Sequence, residues 1–494
     1  MGPMSGTPAP AAGGQPAEAA AAAFDALRRD PVVQALLAAC GATECHLVGG
    51  ALRDRALGLA THDLDAVVAG RGHEIAAELA ASLPARLVPL GGRDFAAYRL
   101  VIGAGETAVG VLDLWDRQSA SLHDDLARRD FTVNSFAVEP RDGAVFDPFG
   151  GLADLAQRTL RATTAGSFDG DPLRVLRLAR LLAHLPGFSV EPETLELARH
   201  AAARLPEMAA ERIREELRLL LSHPAAAIGL HALAALDLYP GLWLGAPGLP
   251  GGGEGAAAAE RAAAEIVALP HCAGELESLL GTPGIAGITA ASAASAASEP
   301  ASGNASFYRV AGARPAIDLA AARIAASFRQ LPNVAGASGG AAAAGALGRM
   351  REAGYVSARQ EAAVAPLLAE PAALPETDLE RRRFLHRHGW GWLTVACSWG
   401  GAAAAAGGAA RERWRRAAAP LCELARREGP ELIDPPRLLT GDDVQRLLGV
   451  AAGPAVGAAL AALTAAQVAG TVCTRADAER FLGDWRARLA RETS

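Results

Sequence analysis

Lysine is absent from the 494 residues, so all 47 basic residues are arginine. Arginine stands wherever this chain needs a cation, and an arginine alone therefore does not mark a phosphate contact. Cysteine is sparse, with six residues at 40, 45, 272, 397, 422 and 473. No two of them have CxxC spacing, and no histidine lies beside them at the spacing of a zinc site. This excludes a zinc ribbon and a disulfide scaffold, and the expectation is free, buried thiols in a reducing cytoplasmic compartment. The N-terminus MGPMSGTPAPAAGGQPAEAAAAA has neither a basic segment nor an apolar stretch of the kind a secretory signal needs. Strongly apolar runs of about 18 residues or more are also missing, which argues against a membrane span. A net charge of −7 does not advertise a nucleic-acid binder, although a local basic patch can sit under an acidic average.

The remaining composition is 51% hydrophobic and 20% charged, that of a folded chain long enough for several domains. Residues 1–18 are low-complexity Pro/Gly/Ala and read as disordered. A helix is expected over AEAAAAAFDALRRDPVVQALLAAC. Strands are expected at CHLV, DLDAVV, ARLVPL, AAYRLVI, GVLDLW, NSFAVE and GAVFDPF, so 19–162 reads as an α/β head. From Asp171 the apolar spacing turns helical, as in DPLRVLRLARLLAHL and ERIREELRLLLS, and 163–244 reads as a helical neck. The stretch 245–306 collapses to Gly/Ala/Ser and reads as a linker or insertion. Helices resume over 307–494, forming a body and a tail, with start signals at Thr440, Pro454 and Thr474. Within this region, Arg381–Arg427 carries ten arginines against Glu412 and Glu423, a local formal charge of +8. Trp390, Trp392, Trp399 and Trp414 interleave with them, and serve either as core residues or as stacking platforms for RNA bases.

The chemistry concentrates in LVGGALRDRALGLATHDLDAVV. Asp63 and Asp65 are two apart in a strand and so face one side of it. Two adjacent carboxylates repel unless a cation lies between them. A divalent ion such as Mg²⁺, which favours one or two carboxylates plus phosphate oxygens, resolves this. Asp113 in GVLDLWD is the candidate third carboxylate from a neighbouring strand, and two such ions can activate a hydroxyl and stabilise a leaving oxygen. Gly49 and Gly50 let the backbone approach a phosphate closely before a helix start, and Arg53, expected in that helix's first turn, adds charge.

With DDLARRDFTVNSFAVE, DPFGGLADLAQRTLRA and DPLRVLRLARLL following in order, residues 47–182 resemble the class II tRNA nucleotidyltransferase and bacterial poly(A) polymerase family. The C-terminal LLTGDDVQRLLGVAAGPAVGAALAALTAAQVAG is similar to the tail of longer bacterial members. The resemblance implies a nucleotidyltransferase head with a mixed sheet and flanking helices, followed by an all-α neck, body and tail. It implies Mg²⁺ held by Asp63, Asp65 and Asp113, which are the catalytic residues. It also implies that Gly49, Gly50, Arg53, Arg129, Asp130, Asn134, Asp171, Arg174 and Arg177 bind the nucleotide, with Arg128 and Arg180 close by. Residues 147–154 correspond to the hinge between head and neck. No His-Asp pair lies in the middle region, so an HD phosphohydrolase domain is not expected.

In DPLR, Asp171 and Arg174 are three apart on an expected helix and hence on one face. Cytosine and adenine both offer an amino donor beside a ring-nitrogen acceptor, which an aspartate and an arginine can satisfy together. Uracil and guanine would leave buried polar groups unpaired, at ~1–3 kcal/mol each. The expected activity is therefore template-independent addition of C and A from CTP and ATP to a tRNA 3′ end. Poly(A) synthesis or partial CC or A addition are the alternatives on the same residues, and a non-catalytic RNA-binding protein is a third. The expected partners are tRNA or another RNA 3′ end and nucleoside triphosphates, without a membrane.

Overall fold

The alternation of apolar and polar residues in DLDAVV and GVLDLW is realised as strands of one sheet. The computed structural model describes residues 16–59, 61–90, 97–103, 110–185, 187–239, 242, 252–280, 319–329, 340–368 and 374–492. The chain divides into two units, 1–212 and 213–494. In the first, strands β1 (Cys45–Val48), β2 (Asp63–Val68), β3 (Ala85–Leu90), β4 (Ala97–Ile102), β5 (Gly110–Asp116), β6 (Ala137–Val138) and β7 (Val145–Phe146) form a sheet in the order β3-β4-β5-β2-β1-β6-β7. The β2–β5 pair is parallel and the other pairs are antiparallel, giving a mixed sheet. Of the seven expected strands, NSFAVE and GAVFDPF shrink to two residues each.

Helices α1 (Pro16–Arg28) and α2 (Pro31–Cys40) precede the sheet. They were expected as one. Asp30 breaks the helix because the residue before a proline is pushed out of the α region, and its side chain then caps α2 by accepting from the Val32 amide at 2.9 Å. Helix α3 (Gly50–Ala56) follows β1, and α4 (Gly72–Ser82) packs across β3, β4 and β5 with Ile75, Ala76 and Leu79 buried. Leu64, Leu112 and Leu100 lie side by side on one sheet face, fully or almost fully buried. Period-two alternation therefore sends Asp63, Asp65 and Asp113 to the other face. That face is covered farther along by a cluster of Val48, Val67, Leu126 and Ala137, so the carboxylates sit at the edge of an apolar patch.

Beyond the sheet come α5 (Leu122–Ala127), α6 (Gly151–Gln157), α7 (Ser167–Gly170), α8 (Arg174–His184), α9 (Pro192–Ala202) and the start of α10 (Ala210–Ser222). Two short strands, β8 (Thr159–Leu160) and β9 (Ser189–Val190), pair in parallel. Asp147, in the expected hinge, caps α6 by accepting from the amides of Gly151 at 2.7 Å and Leu152 at 2.9 Å.

The described part of the second unit is helical. It contains α11 (Ala226–Ala235), α12 (Gly252–Leu280), α13 (Leu319–Arg329), α14 (Gly340–Glu352), α15 (Ala358–Leu368), α16 (Asp378–His388), α17 (Trp392–Ala405), α18 (Gly408–Ile433), α19 (Gly441–Leu448), α20 (Pro454–Val468) and α21 (Arg475–Glu492). Helix α12 lies within 245–306, which was expected as a linker or insertion, and gives its first half regular structure; residues 245–251 and 281–306 lie outside the described ones. Alanine is the strongest helix former, and Ala258, Ala259, Ala262, Ala263, Ile266 and Leu269 recur at helical spacing and are buried. The small residues permit close crossing. A Cβ at Gly400 on α17 would meet the Trp414 ring at 2.7 Å, and one at Gly401 would meet Leu269 at 2.7 Å. Thr440 and Thr474 cap α19 and α21, each paired with an aspartate three residues on. The six cysteines are unpaired; five are buried as expected, whereas Cys473 is exposed.

Candidate active site

The end of β1 determines the centre of the site. Val48 lies opposite Asp65, so the chain turns away directly beside that carboxylate. Gly49 makes the turn with φ +84°, a region that side chains other than glycine's disfavour. A Cβ there would also overlap the Asp65 carboxylate. The glycine is required by both backbone and space. Gly50 opens α3, and a Cβ on it would press on the Arg53 guanidinium at 3.2 Å.

Asp65 pairs in register with Asp113 across the parallel β2–β5 ladder, and Asp63 lies two residues before it on the same face. The structure thus brings the three expected carboxylates to one face. Burial, and after it the charge on Asp113, hold the Asp63 carboxyl above its ordinary range. Asp65 is pushed up to about 6, first by burial and then by Asp113 and Asp63, with Arg129 and Arg99 opposing. Arg99 was not anticipated. It lies opposite Asp113 on β4 and donates to it through both Nε (2.8 Å) and Nη2 (2.7 Å). The one signal available in the sequence was a lone charge inside the apolar run AAYRLVI.

Among the described residues no three His, Cys, Asp or Glu side chains form a closed metal cage. Asp63 and Asp65 share a face, and burial followed by neighbouring negative charge raises both carboxyls above their ordinary range. This donor pair fits a divalent ion that completes its shell with phosphate oxygens and water. Asp113 already accepts from Arg99 on both oxygens, so an ion there would compete with that arginine's charge.

Behind the glycine turn lies a string of buried polar side chains. Arg53, 6% exposed, donates to Asn134 Oδ1 at 2.7 Å and to Asp54 Oδ1 through Nε (2.8 Å) and Nη2 (2.7 Å). It is the fourth residue of α3, beyond the expected first turn, and it folds back beneath Gly50. Asn134 donates to Asp130 Oδ1 at 2.9 Å, and Arg177 lies 3.1 Å from Asp130 Oδ2. Burial pushes the Asp130 carboxyl upward, but Arg177, Asn134 and the Phe131 amide outweigh it and hold the group below its ordinary range. Arg129 reaches Asp125 at 3.3 Å.

The base-reading pair requires a correction. Asp171 and Arg174 do not share a helix. Asp171 is extended (φ −154°, ψ 95°), because Pro172 follows it, and α8 begins at Arg174. Asp171 accepts from Arg212 Nη2 at 2.7 Å, a partner not foreseen although it lies in the quoted ERIREELRLLL block. Arg174 donates to the carbonyls of Arg129 (3.0 Å), Ser167 (2.9 Å) and Arg128. The Nε atoms of Arg129 and Arg174 are buried without an acceptor, an unusual state for a buried donor.

Residues 45–161 match the family model described as the Poly A polymerase head domain, and residues 187–247 match the probable RNA- and SrmB-binding site of polymerase A. The chain is 32% identical over 457 residues to the CC-adding tRNA nucleotidyltransferase of Geobacter sulfurreducens, covering 92% of this chain and 94% of that protein. The chain belongs to the tRNA nucleotidyltransferase and poly(A) polymerase family. It is also 39% identical over 201 residues to the Multifunctional CCA protein of Xylella fastidiosa (strain M23), covering 39% of this chain and about half, 48%, of that protein. The CCA-adding enzyme of Bacillus stearothermophilus, solved with CTP, has the same fold, with a TM-score of 0.60, 22% identity and coverage of 97% of this chain and 99% of that one.

In this nucleotidyltransferase the arginine-rich stretch is less basic than its sequence count. Glu275 takes Arg411 and Arg415 at 2.8 and 2.7 Å, Glu428 takes Arg382 and Arg427 at 2.7 and 3.0 Å, and Asp378 takes Arg381 at 2.9 Å. All three acids lie outside 381–427. Arg416 and Arg426 pair with Glu412 and Glu423 within it. Arg383, Arg387 and Arg413 remain exposed. Trp392, Trp399 and Trp414 are buried core residues, and Trp414 Nε1 donates to the Ala396 carbonyl at 2.9 Å, so these rings are not RNA-stacking platforms. No described helix is long and apolar enough to cross a membrane.

Proposed function

We propose that this enzyme adds C and A residues, from CTP and ATP, to the 3′ end of tRNA without a nucleic-acid template. The observation that carries the proposal is the Asp63–Asp65 pair, charge-deficient and seated over a glycine that leaves room for nothing larger. The tRNA 3′-hydroxyl attacks the α-phosphate of the bound nucleotide, the bond to the β-phosphate breaks, and pyrophosphate leaves. Mg²⁺, held by Asp63 and Asp65 and joined by Asp113, would supply the positive charge that acidifies the hydroxyl and neutralises the phosphates. Gly49 and Gly50 admit the triphosphate close to the backbone, and Arg129 offers its buried Nε–H to it. Asp130 and Asn134 act from behind by orienting Arg177 and Arg53.

Base choice falls to Asp171 and Arg174. Asp171 accepts from the exocyclic amino group shared by cytosine and adenine, and the unused Arg174 Nε–H donates to the adjacent ring nitrogen. The name of the Geobacter sulfurreducens relative favours a second reading, addition of two C residues only. The test is incubation of the purified chain and Mg²⁺ with a tRNA ending before CCA. CTP alone is expected to extend it by two residues under either reading. CTP with ATP extends it by three under the first reading and by two under the second. UTP incorporation at the rate of CTP would overturn the base-reading role of Asp171 and Arg174.

A further inference from the structure

Four residues stand in one row across the sheet. Arg99 on β4 lies opposite Asp113 on β5, Asp113 opposite Asp65 on β2, and Asp65 opposite Val48 at the end of β1, beside the Gly49 turn. Residues directly opposite share a face, so the row runs from the glycine turn through the carboxylates to the guanidinium. Neighbouring strands are about 4.8 Å apart, which puts the Arg99 backbone roughly 14 Å from β1, on the far side of the carboxylates. On its outer side Arg99 lies opposite Val88 of β3, which offers no charge. The hydrogen bonds to Asp113, joined by the charges of Asp113, Asp63 and Asp65, outweigh burial and raise the guanidinium above its ordinary range. The Arg99 side chain is still 45% exposed, so a large ligand can reach it.

We propose that Arg99 binds the last phosphodiester of the RNA 3′ end and so holds the strand that accepts the nucleotide. The proposal rests on the nucleotidyltransferase reading above. Phosphoryl transfer puts the attacking and leaving oxygens roughly in line, on opposite sides of the phosphorus. The glycine turn admits the triphosphate, so pyrophosphate leaves on the β1 side and the RNA hydroxyl approaches from the side of β5 and β4. Arg99 stands on that side, and the phosphodiester of the terminal nucleotide is the fixed anion nearest to the hydroxyl. The three acids that act on Arg99 are also the three expected to hold the ion. Once Asp113 turns to the ion, the guanidinium loses both of its hydrogen bonds to that residue. Two oxygens of one phosphodiester then offer the same fork of acceptors that the carboxylate did. A phosphate of the nucleotide has the same chemistry, and the experiment separates the two sources.

The experiment compares wild type, Arg99→Ala and Arg99→Lys in the full chain with Mg²⁺, on a tRNA ending before CCA. It measures KM for the tRNA and for CTP, and the Kd of the tRNA by fluorescence anisotropy without nucleotide. Arg99→Ala is expected to raise KM and Kd for the tRNA by roughly tenfold, the equivalent of one charge-assisted hydrogen bond, and to leave KM for CTP within about twofold of wild type. Arg99→Lys keeps the charge and is expected to recover tRNA binding to within about threefold. A second tRNA carries a neutral methylphosphonate at its last linkage, with 2′-O-methyl on the preceding ribose, and is compared with the same 2′-O-methyl tRNA bearing the ordinary phosphate. Wild type is expected to lose about tenfold in binding on the neutral linkage, and Arg99→Ala to lose nothing further. Losses that multiply, a raised KM for CTP with tRNA binding unchanged, or a fall in kcat alone each overturn the proposal. A wild-type chain that does not extend the tRNA defeats the nucleotidyltransferase reading itself, and is recognised before any variant is measured.

Discussion

Two groups of aspartates in the first unit meet burial in opposite ways. Asp130 is 5% exposed, yet three donors surround it and its carboxyl is held below the ordinary range. Asp65, partly buried, and Asp63, exposed at the start of the strand, lie on the sheet face with no comparable partners, and their carboxyls are held above it. A buried charge surrounded by partners is tolerated at little net cost, and removing either side of such a pair is what destabilises the fold. One left uncompensated costs stability, and the cost is repaid when a ligand of opposite charge arrives. Asp113 lies between these extremes, since Arg99 stands where a metal charge would otherwise act.

The contrast is broken most directly by removing charge from each group. Asp65→Asn is expected to reduce nucleotide incorporation at least ~10³-fold, because it removes a ligand for the ion that neutralises the transferring phosphate. The same variant should melt at a higher temperature than wild type near pH 7 without divalent ions. A lower melting temperature would show that Asp65 is a framework group. Asp130→Ala is expected to destabilise the folded chain by ~1–3 kcal/mol in urea unfolding, as it leaves the buried Asn134 amide and Phe131 N–H without their acceptor while the partly exposed Arg177 can turn to water. A loss under about 1 kcal/mol would place Asp130 with the ligand-dependent set.

The third effect is a pH slope. Burial in the folded chain pushes the Asp65 carboxyl up to about 6, whereas the unfolded chain releases its proton near the ordinary 3.8. Between those values the folded state binds more protons, so the metal-free protein loses stability as pH rises from 4 to 6, by on the order of 2 kcal/mol from this group. Thermal melting across that range should show a flatter profile for Asp65→Asn, and added Mg²⁺ should raise the melting temperature more at pH 7 than at pH 4.5. The smallest change is Arg99→Ala. Arg99 is 45% exposed, so its loss should cost only ~0.5–1 kcal/mol. It should also lower the Mg²⁺ concentration for half-maximal thermal protection, because Asp113 no longer has a competing cation. Unchanged Mg²⁺ dependence would exclude Asp113 from the ion's shell.

Local periodicity made the sheet legible. Five strands, from CHLV to GVLDLW, fall within a residue of where alternation put them, because one face of each had to be buried. The Asp63–Asp65 face followed from the same period of two, and the turn from the Gly49-Gly50 pair between a strand and a helix. Arg99 was harder to find because its meaning depends on the β4–β5 register, which no local pattern specifies. Asp171 and Arg174 were placed on one helix because spacing alone cannot show that Pro172 postpones the helix start. Helix α12 was lost in a region of alanine and glycine, where composition reads as flexible and only packing against α11 and α17 makes the helix stable. The arginine-rich stretch was overestimated because Glu275, remote in the chain, reaches it only after folding, and because Asp378 and Glu428 stand just outside the counted segment.

By itself, then, the amino-acid sequence determined which residues share a face, where the chain turns and which carboxylates form a pair, since backbone sterics and side-chain period act over a few residues. Tertiary structure alone decided which of those charges are compensated. Asp130 obtains Arg177 from a helix 47 positions on, Asp113 obtains Arg99 from the adjoining strand, and Asp65 obtains no direct ion pair among the described residues. Compensation depends on distance through space in a medium of low polarizability, and that distance does not exist until the chain has folded.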